Sequence, residues 1–217
     1  MSKSPIDAAR CSGVSPLPDG SGTISSSSPA PSTPMYSRPS GQTGSGKSKA
    51  LETLICGGAT LYTPEQLRLV LVDGKRGVEL GKFAALPHCH FPVGIDGPEG
   101  VERLERAVEE MERRNDLLRA SRTTNIAEFN AKAELADRLP WWLVVLDEYA
   151  DLQAFGDSRP RLEEQLQRLG QLARAAGIHV VVSTQKPVVK VVTTVLKENL
   201  PARLAFRVTS AAGSRVI

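Results

Sequence analysis

The sequence predicts an α/β fold of three layers built around a mainly parallel β-sheet. Short apolar runs typical of buried strands alternate with segments that have helical periodicity, which is the order found in parallel sheets. Polar side chains follow several of the strands, and ligands of such folds bind at the carboxyl ends of the strands. At 217 residues, the chain is long enough for one such domain and a tail.

The strands and helices follow from local patterns of apolar residues. Residues 141–146 are a continuous apolar run, as expected for a strand buried on both faces. The segment 101–118 places apolar residues at helical spacing and fills its other face with charges. The predicted strands cover residues 66–73, 90–94, 141–146, 178–183 and 203–208, and the predicted helices cover residues 49–55, 101–118, 124–138, 158–176 and 193–199.

One short motif carries the chemistry of phosphate binding. It fits G-x-x-x-x-G-K-[ST] and consists of Gly41, Gln42, Thr43, Gly44, Ser45, Gly46, Lys47 and Ser48. In such a P-loop, glycines let backbone N–H groups surround an anion, Lys47 reaches the β- and γ-phosphates, and the Ser48 hydroxyl can bind Mg²⁺. The helix predicted directly after the motif is the context that a P-loop requires. The sequence therefore predicts ATP and Mg²⁺ as cofactors.

The segment before the P-loop does not fit a central strand. Residues 1–40 are predicted to form a disordered tail, because the stretch 12–40 is dominated by Ser, Pro and Gly. Two prolines and two serines between residues 34 and 40 argue against a strand there. The first P-loop strand is therefore expected to be missing, which would leave an apolar groove. Residues 41–217 are predicted to form an incomplete domain.

Polar residues at the ends of the later strands extend the predicted site. Asp147 would hold Mg²⁺ through water, Glu148 would polarise an attacking water, and Gln185 would sense the γ-phosphate. Asp73 ends a further strand. Taken alone, Asp147 and Glu148 could be an ordinary turn after a strand. An ABC-type ATPase is disfavoured because no L-S-G-G-Q-like signature precedes Asp147, and a small-molecule kinase is disfavoured because Glu148 and Gln185 favour hydrolysis.

Composition and charge exclude some classes of protein. No apolar run approaches the roughly 18 residues that span a bilayer, and the N-terminus lacks an apolar signal core, so a cytoplasmic protein is expected. Three cysteines without a C-x-x-C pair predict no disulfide framework. A net charge of +3 permits a local basic surface without proving nucleic-acid binding.

Several motifs, in order along residues 41–217, resemble the motor domain of FtsK/SpoIIIE-type DNA translocases. Besides the P-loop, they are the segments 72–80, 110–114, 145–152, 173–179, 183–187 and 199–208, with Ser214 and Arg215. The resemblance implies a RecA-like P-loop NTPase fold and hexameric rings around double-stranded DNA. It also implies ATP-driven translocation in chromosome partition, sporulation or conjugative transfer. Full-length relatives are often membrane-anchored.

The resemblance also assigns roles to basic residues. Arg174 matches an arginine proposed to reach a neighbour's γ-phosphate, although a cation at a helix C-terminus also favours the macrodipole. Lys186 and Arg215 match basic positions near the pore, where phosphate contacts bind DNA without reading sequence. Lys75 and Arg76 are further DNA-contact candidates, with solvated turn charges as the alternative.

The chain departs from the family in its missing first strand and in Ala211, where relatives often carry a basic residue. A truncated or rearranged translocase is therefore expected. The alternative hypothesis is a non-hydrolysing homologue that acts as a DNA-binding or assembly subunit.

Overall fold

The computed structural model describes residues 39–40, 46–206 and 215–216. The predicted disordered tail and the first five residues of the P-loop motif lie outside these residues, except for the pair 39–40. The domain boundaries therefore stay a prediction.

Strands and helices alternate along the described chain, as the sequence predicts. In order they are β1 (Pro39–Ser40), α1 (Lys47–Leu61), β2 (Leu67–Asp73), α2 (Gly97–Ala120), α3 (Ile126–Lys132), β3 (Trp141–Asp147), α4 (Tyr149–Leu152), α5 (Ser158–Leu172), β4 (Ile178–Val182), α6 (Thr194–Asn199) and β5 (Leu204–Ala205). Short 3₁₀ turns lie at Gly81–Phe83 and Leu135–Asp137.

The main sheet is parallel and has the strand order β2-β3-β4. Its register places Asp73 beside Asp147, so polar residues that end separate strands meet at one edge. The predicted strand over 90–94 is reduced to two isolated bridges in this region, which pair Leu69 with Cys89 and Val72 with Gly94.

Side chains alternate between the two faces of the sheet and make two apolar cores. On one face, Val72, Val144 and Val180 pack in a buried cluster with residues of α2 and α5. On the other face, Leu143 and Val145 belong to a cluster that includes residues of α1. Since each fully buried aliphatic side chain stabilises the fold by about 1.5–3 kcal/mol, these two cores hold helices on both faces. The predicted three-layer α/β fold is confirmed.

Beside the main sheet, the described residues form a second, smaller sheet. Before the P-loop, the described residues form only the two-residue strand β1, which pairs with β5 in a separate two-stranded sheet. The residues on both sides of β1 lie outside the described part of the chain, so the expected loss of the first P-loop strand stays a prediction. An apolar groove of about 400 Å³ lies between α1 and the main sheet, lined by residues that include Leu54, Leu61, Leu67 and Leu143.

One predicted helix needs correction. The helix predicted over 124–138 is shorter, because α3 ends at Lys132 and Ala133 is extended. The prediction that the cysteines form no disulfide framework stays a prediction, and Cys89 is free.

None of the helices in the described part of the chain is both long and apolar enough to cross a membrane.

The histidine in β4 predicts a pH dependence of stability. His179 is buried, stacks on Trp141 with ring centroids 5.4 Å apart, and burial lowers its pKa to about 4. In the unfolded chain the pKa of a histidine has its ordinary value of 6.5. Between about pH 4 and pH 6.5 the unfolded state therefore binds more protons than the folded state. We expect the free energy of unfolding to be highest above pH ~6.5 and to fall by up to about 3 kcal/mol towards pH 4.

Urea unfolding at pH 7.5 and pH 5 would measure this loss, with His179→Gln as the comparison. The substituted chain should lose less stability on acidification. An identical loss in both proteins would contradict the assignment to His179.

Candidate functional site

The site lies at the carboxyl edge of the main sheet, where the start of α1 meets the ends of β3 and β4. Lys47 is the first residue of α1, and Gly46 before it has a left-handed backbone with φ 101°. Glycine adopts this conformation without steric cost. The Lys47 side chain is only 2% exposed. Its Nζ contacts Oδ1 of Asp147, donates to Oγ of Ser183 at 3.2 Å, and lies 3.8 Å from Oε2 of Glu148.

Asp147 is the centre of this arrangement. Its Oδ1 accepts hydrogen bonds from Lys47, from the Ser183 hydroxyl and, at 2.9 Å, from the backbone N–H of Glu148. Its Oδ2 is buried and has no hydrogen-bond partner among the described residues. A buried carboxylate oxygen without a donor suits a hard cation such as Mg²⁺. Ser48 follows Lys47 in the same helical turn and is half-buried. Asp147 and Ser48 therefore fit the predicted metal ligands.

Glu148 has a strained backbone and a fixed side chain. Its φ of 50° and ψ of 57° are left-handed, which costs a non-glycine residue on the order of 1–3 kcal/mol. Its Oε1 accepts from the Thr184 hydroxyl at 3.1 Å and from the backbone N–H of Gln185 at 3.0 Å. The end of β4 therefore sets the direction of the Glu148 carboxylate.

Sequence reasoning gave no role to Ser183 and left the role of Thr184 open. Both are buried, and each bonds to a carboxylate of the site. The sequence does contain a signal for such a role, because a hydroxyl at the end of a buried strand needs a hydrogen-bond partner. Only the register of β3 beside β4 reveals which carboxylate is that partner.

Asp73 has a structural task in the described chain. Its carboxylate accepts backbone N–H groups of Lys75, Glu79 and Leu80, each at 2.8 Å. It therefore shapes the turn that carries Lys75 and Arg76. The backbone N–H of Gly74 donates to the carbonyl of Asp147 at 2.9 Å, which ties this turn to the site.

Most predicted DNA contacts lie at the same edge. Arg76 is exposed and has a left-handed backbone with φ 58°. The Nζ of Lys75 lies 3.5 Å from Oε1 of Glu79. Lys186 is exposed, and its Nζ donates to Asp151 at 2.8 Å, a contact that raises the pKa of Lys186. Arg215 is exposed.

The remaining predicted site residues are distributed differently. Arg174 is exposed and lies between α5 and β4, at the amino edge of the sheet. Gln185 is half-buried next to Glu148. The residues 41–45 of the P-loop motif lie outside the described residues.

The close approach of the Asp73 turn to the site predicts that Gly74 tolerates no side chain. A Cβ at Gly74 would lie 2.6 Å from the carbonyl oxygen of Glu148 and 3.2 Å from that of Asp147. We expect Gly74→Ala to lower the free energy of unfolding by about 1–3 kcal/mol, because backbone must move. Urea denaturation would measure it.

The control is Gly57→Ala in α1, where a Cβ meets nothing within 4 Å. This change should be neutral or stabilising by up to about 1 kcal/mol. Equal stability of the two variants would contradict the tight contact at Gly74.

Solved structures confirm the fold. The pCW3 conjugation coupling protein TcpA, in its monomer form with ATPγS, is 30% identical with a TM-score of 0.73 and aligns over 83% of this chain and 51% of its own. The cytoplasmic domain of the Thermomonospora curvata type VII secretion ATPase EccC is 28% identical with a TM-score of 0.69, over 84% of this chain and 22% of its own. The sheet and helices are thus those of RecA-like P-loop ATPases.

Sequence relatives point to one family. The DNA translocase FtsK of Lactiplantibacillus plantarum is 40% identical over 185 residues, which are 82% of this chain and 23% of that protein. The DNA translocase FtsK of Staphylococcus aureus strain Mu50 gives the same values. The chain thus spans about a quarter of the length of these relatives. The model of the FtsK/SpoIIIE family matches residues 40–189, which include the P-loop, Asp147, Glu148 and Gln185. The chain belongs to the FtsK/SpoIIIE family.

Proposed function

We propose that this chain is the ATP-hydrolysing motor core of a translocase that moves double-stranded DNA. The observation that carries the proposal is the buried cluster of Lys47, Asp147, Glu148 and Ser183 at the carboxyl edge of the sheet. The cluster contains a cation, a carboxylate whose second oxygen has no partner among the described residues, and an oriented glutamate, which are the parts that phosphoryl transfer requires. Family membership and the names of the relatives support DNA as the substrate.

Lys47 is the phosphate-binding cation in this proposal. In the structure its charge is balanced by Asp147 and by the nearby Glu148. A phosphate supplies the same negative charge, so Lys47 would exchange its carboxylate partner for the β- and γ-phosphates of ATP. Asp147 would then be free, with Ser48, to hold Mg²⁺, which supplies charge neutralisation on the phosphates. The residues Gly41 to Ser45 are assigned to the same phosphate site by the motif alone.

Glu148 would hold and polarise the attacking water. A base must point at the water before it can act, and Thr184 and Gln185 fix the direction of the Glu148 carboxylate. Gln185 is proposed to sense the γ-phosphate. Lys186 is the next residue, and its backbone N–H donates to the Thr184 hydroxyl at 3.1 Å. Loss of the γ-phosphate would thereby be transmitted to a DNA-contacting side chain.

Arg174 would act on the site of a neighbouring subunit. Arg174 precedes β4, whereas the site follows β4. The two are therefore separated by the length of β4, which has five residues and spans about 16 Å. Its side chain therefore lies at the wrong edge to complete the site of its own chain. A ring of identical subunits, hexameric by resemblance, would bring the amino edge of one chain to the carboxyl edge of the next.

DNA would be held by backbone contacts rather than by base reading. Lys186, Lys75 and Arg76 lie at or follow the carboxyl edge of the sheet, and Arg215 is a further exposed candidate. Such cations bind phosphates of any sequence. The process served would be chromosome partition, sporulation or conjugative transfer, in the cytoplasm.

Two variants test ATP hydrolysis. We expect Lys47→Ala to abolish DNA-stimulated ATPase activity, because it removes the phosphate-binding cation. Glu148→Gln should keep ATP binding but lower the turnover number by about 10²–10⁴-fold, the usual contribution of a general base. Lys49→Ala is the control, since the Lys49 side chain is 74% exposed on the same helix and pairs only with Glu52 among the described residues.

A chain that binds DNA without any ATPase activity would contradict the motor. That result would favour the alternative, a non-hydrolysing DNA-binding or assembly subunit.

The DNA contact is tested by salt dependence. Lys186→Ala should weaken binding to duplexes of any sequence and reduce the slope of log K against log salt by about 1, because one phosphate contact is lost. Fluorescence anisotropy titrations at salt concentrations from roughly 50 to 200 mM, where the affinity for DNA changes strongly with salt, would measure this slope. Lys132→Ala in α3 is the control, since Lys132 is exposed and pairs with Glu128. An unchanged slope for Lys186→Ala would remove Lys186 from the DNA site.

A further inference from the structure

A charged side chain lies inside the apolar layer between α2 and the sheet. Arg114 is fully buried, at 0% exposure, on the face of α2 that otherwise presents residues such as Val108 and Met111. Its Nε donates to Glu110 at 2.7 Å, and its guanidinium carbon lies 5.4 Å from the centroid of the Trp142 ring. A buried ion pair is a weak source of stability compared with apolar residues of similar size. Arg114 therefore needs an explanation other than stability, and the backbone to which it donates a hydrogen bond offers one.

Arg114 makes a second hydrogen bond, which joins α2 to the turn between α5 and β4. Its Nη1 donates to the carbonyl of Ala176 at 2.9 Å, a contact between residues 62 positions apart. Ala176 lies two residues after Arg174, the side chain assigned to a neighbour's site. Among the described residues, Nη2 of Arg114 has no partner, so the hydrogen bond to Ala176 is made at the cost of an unsatisfied polar atom.

The turn is fixed along its whole length. Five consecutive carbonyls each accept a hydrogen bond: Ala173 from Ile178 N–H at 3.0 Å, Arg174 from Gly177 N–H at 3.2 Å, Ala175 from Ile126 N–H at 2.9 Å, Ala176 from Arg114, and Gly177 from Trp142 N–H at 2.9 Å. The donors come from α2, α3, β3 and the turn with its following strand. Gly177 has φ 71°, and a Cβ there would lie 2.7 Å from Ile126. The backbone on both sides of Arg174 is therefore held in one place.

The Arg174 side chain is free of this constraint. It is exposed and lines a cleft of about 970 Å³, together with residues that include Arg119, Asn125 and Gln171. We propose that Arg114 is a positioning residue, which acts through the Ala176 carbonyl to aim Arg174 at the nucleotide site of a neighbouring subunit. This inference rests on the proposed function. A misplacement of about 1 Å at a reacting centre can lower a rate about 100-fold, which explains why a turn that bears such a side chain needs rigid support.

The first test measures the turn itself and needs no ATPase activity. Trypsin cleaves after Arg174 only when the turn opens. Arg114→Met removes the hydrogen bond to Ala176 and keeps an apolar side chain of similar length. We expect cleavage between Arg174 and Ala175 to become about tenfold faster, which corresponds to the loss of one charged hydrogen bond.

Arg113→Met is the matched control. Arg113 also pairs with Glu110, but its side chain is 51% exposed, so the cleavage rate should stay as in the unchanged chain. Mass spectrometry would identify the cut at Arg174, and urea unfolding of both variants would show whether global stability differs. Faster cleavage at Arg174 with unchanged global stability supports the proposal. Equal cleavage rates for Arg114→Met and Arg113→Met would overturn it.

The second test asks whether Arg114→Met impairs the Arg174 side chain that acts on a neighbouring subunit, rather than the subunit's own nucleotide site. Lys47→Ala subunits have a dead site and an intact Arg174, whereas Arg174→Ala subunits have the reverse. Mixing the two should restore DNA-stimulated ATPase activity. Arg114→Met should regain activity when mixed with Lys47→Ala and should regain none with Arg174→Ala. A defect of folding or of its own site would not give this selective pattern.

The outcomes separate the inference from the proposed function. If the unchanged chain shows no ATPase activity, the proposed function fails, and the trypsin comparison alone decides whether Arg114 holds the turn. If the unchanged chain is active and Arg114→Met regains activity with Arg174→Ala, or with neither partner, the positioning role is wrong.

Discussion

The buried carboxylate of Asp147 is the constraint on which the rest of the structure depends. A buried charge costs several kcal/mol unless it is paired and hydrogen-bonded, and Asp147 is fully buried. Its Oδ1 is satisfied by Lys47 and Ser183, and its backbone carbonyl accepts from Gly74. The start of α1 and the ends of β2, β3 and β4 must therefore all reach this point. The apolar cores on both faces of the sheet bring them there.

A parallel sheet then divides the proposed work between its two edges. Every strand of the main sheet ends at the carboxyl edge, so the acidic side chains, Lys47, Lys75, Arg76 and Lys186 gather there. The turn that bears Arg174 lies at the amino edge, because it leads into β4 rather than out of it. Within one subunit these edges cannot cooperate directly. In a closed ring they would face each other, which makes assembly a requirement of the proposed catalysis.

The sequence predicted the parts that depend on local patterns. Apolar runs identified the strands that end at Asp73, Asp147 and Ser183, and the motif identified Lys47. It did not predict that Ser183 joins Lys47 and Asp147, since these residues are 136 and 36 positions away along the chain. Nor did it predict the task of Asp73, because that carboxylate bonds to backbone N–H groups, which any sequence provides. Contacts of this kind depend on register and turn geometry, and local patterns carry neither.

One energetically costly feature of the fold lies at a proposed catalytic residue, and another supports the turn that bears one. Glu148 holds a left-handed backbone that glycine would adopt more easily, and Arg114 places a guanidinium in an apolar layer. Neither is what a chain selected only for stability would use. The Glu148 carboxylate is held towards the end of β4, and in our proposal Arg114 holds the turn from which the Arg174 side chain extends. Side chains that are oriented before a ligand arrives need no reorganisation during the reaction. The stability given up at these two positions is thus best understood as the cost of a preorganised site.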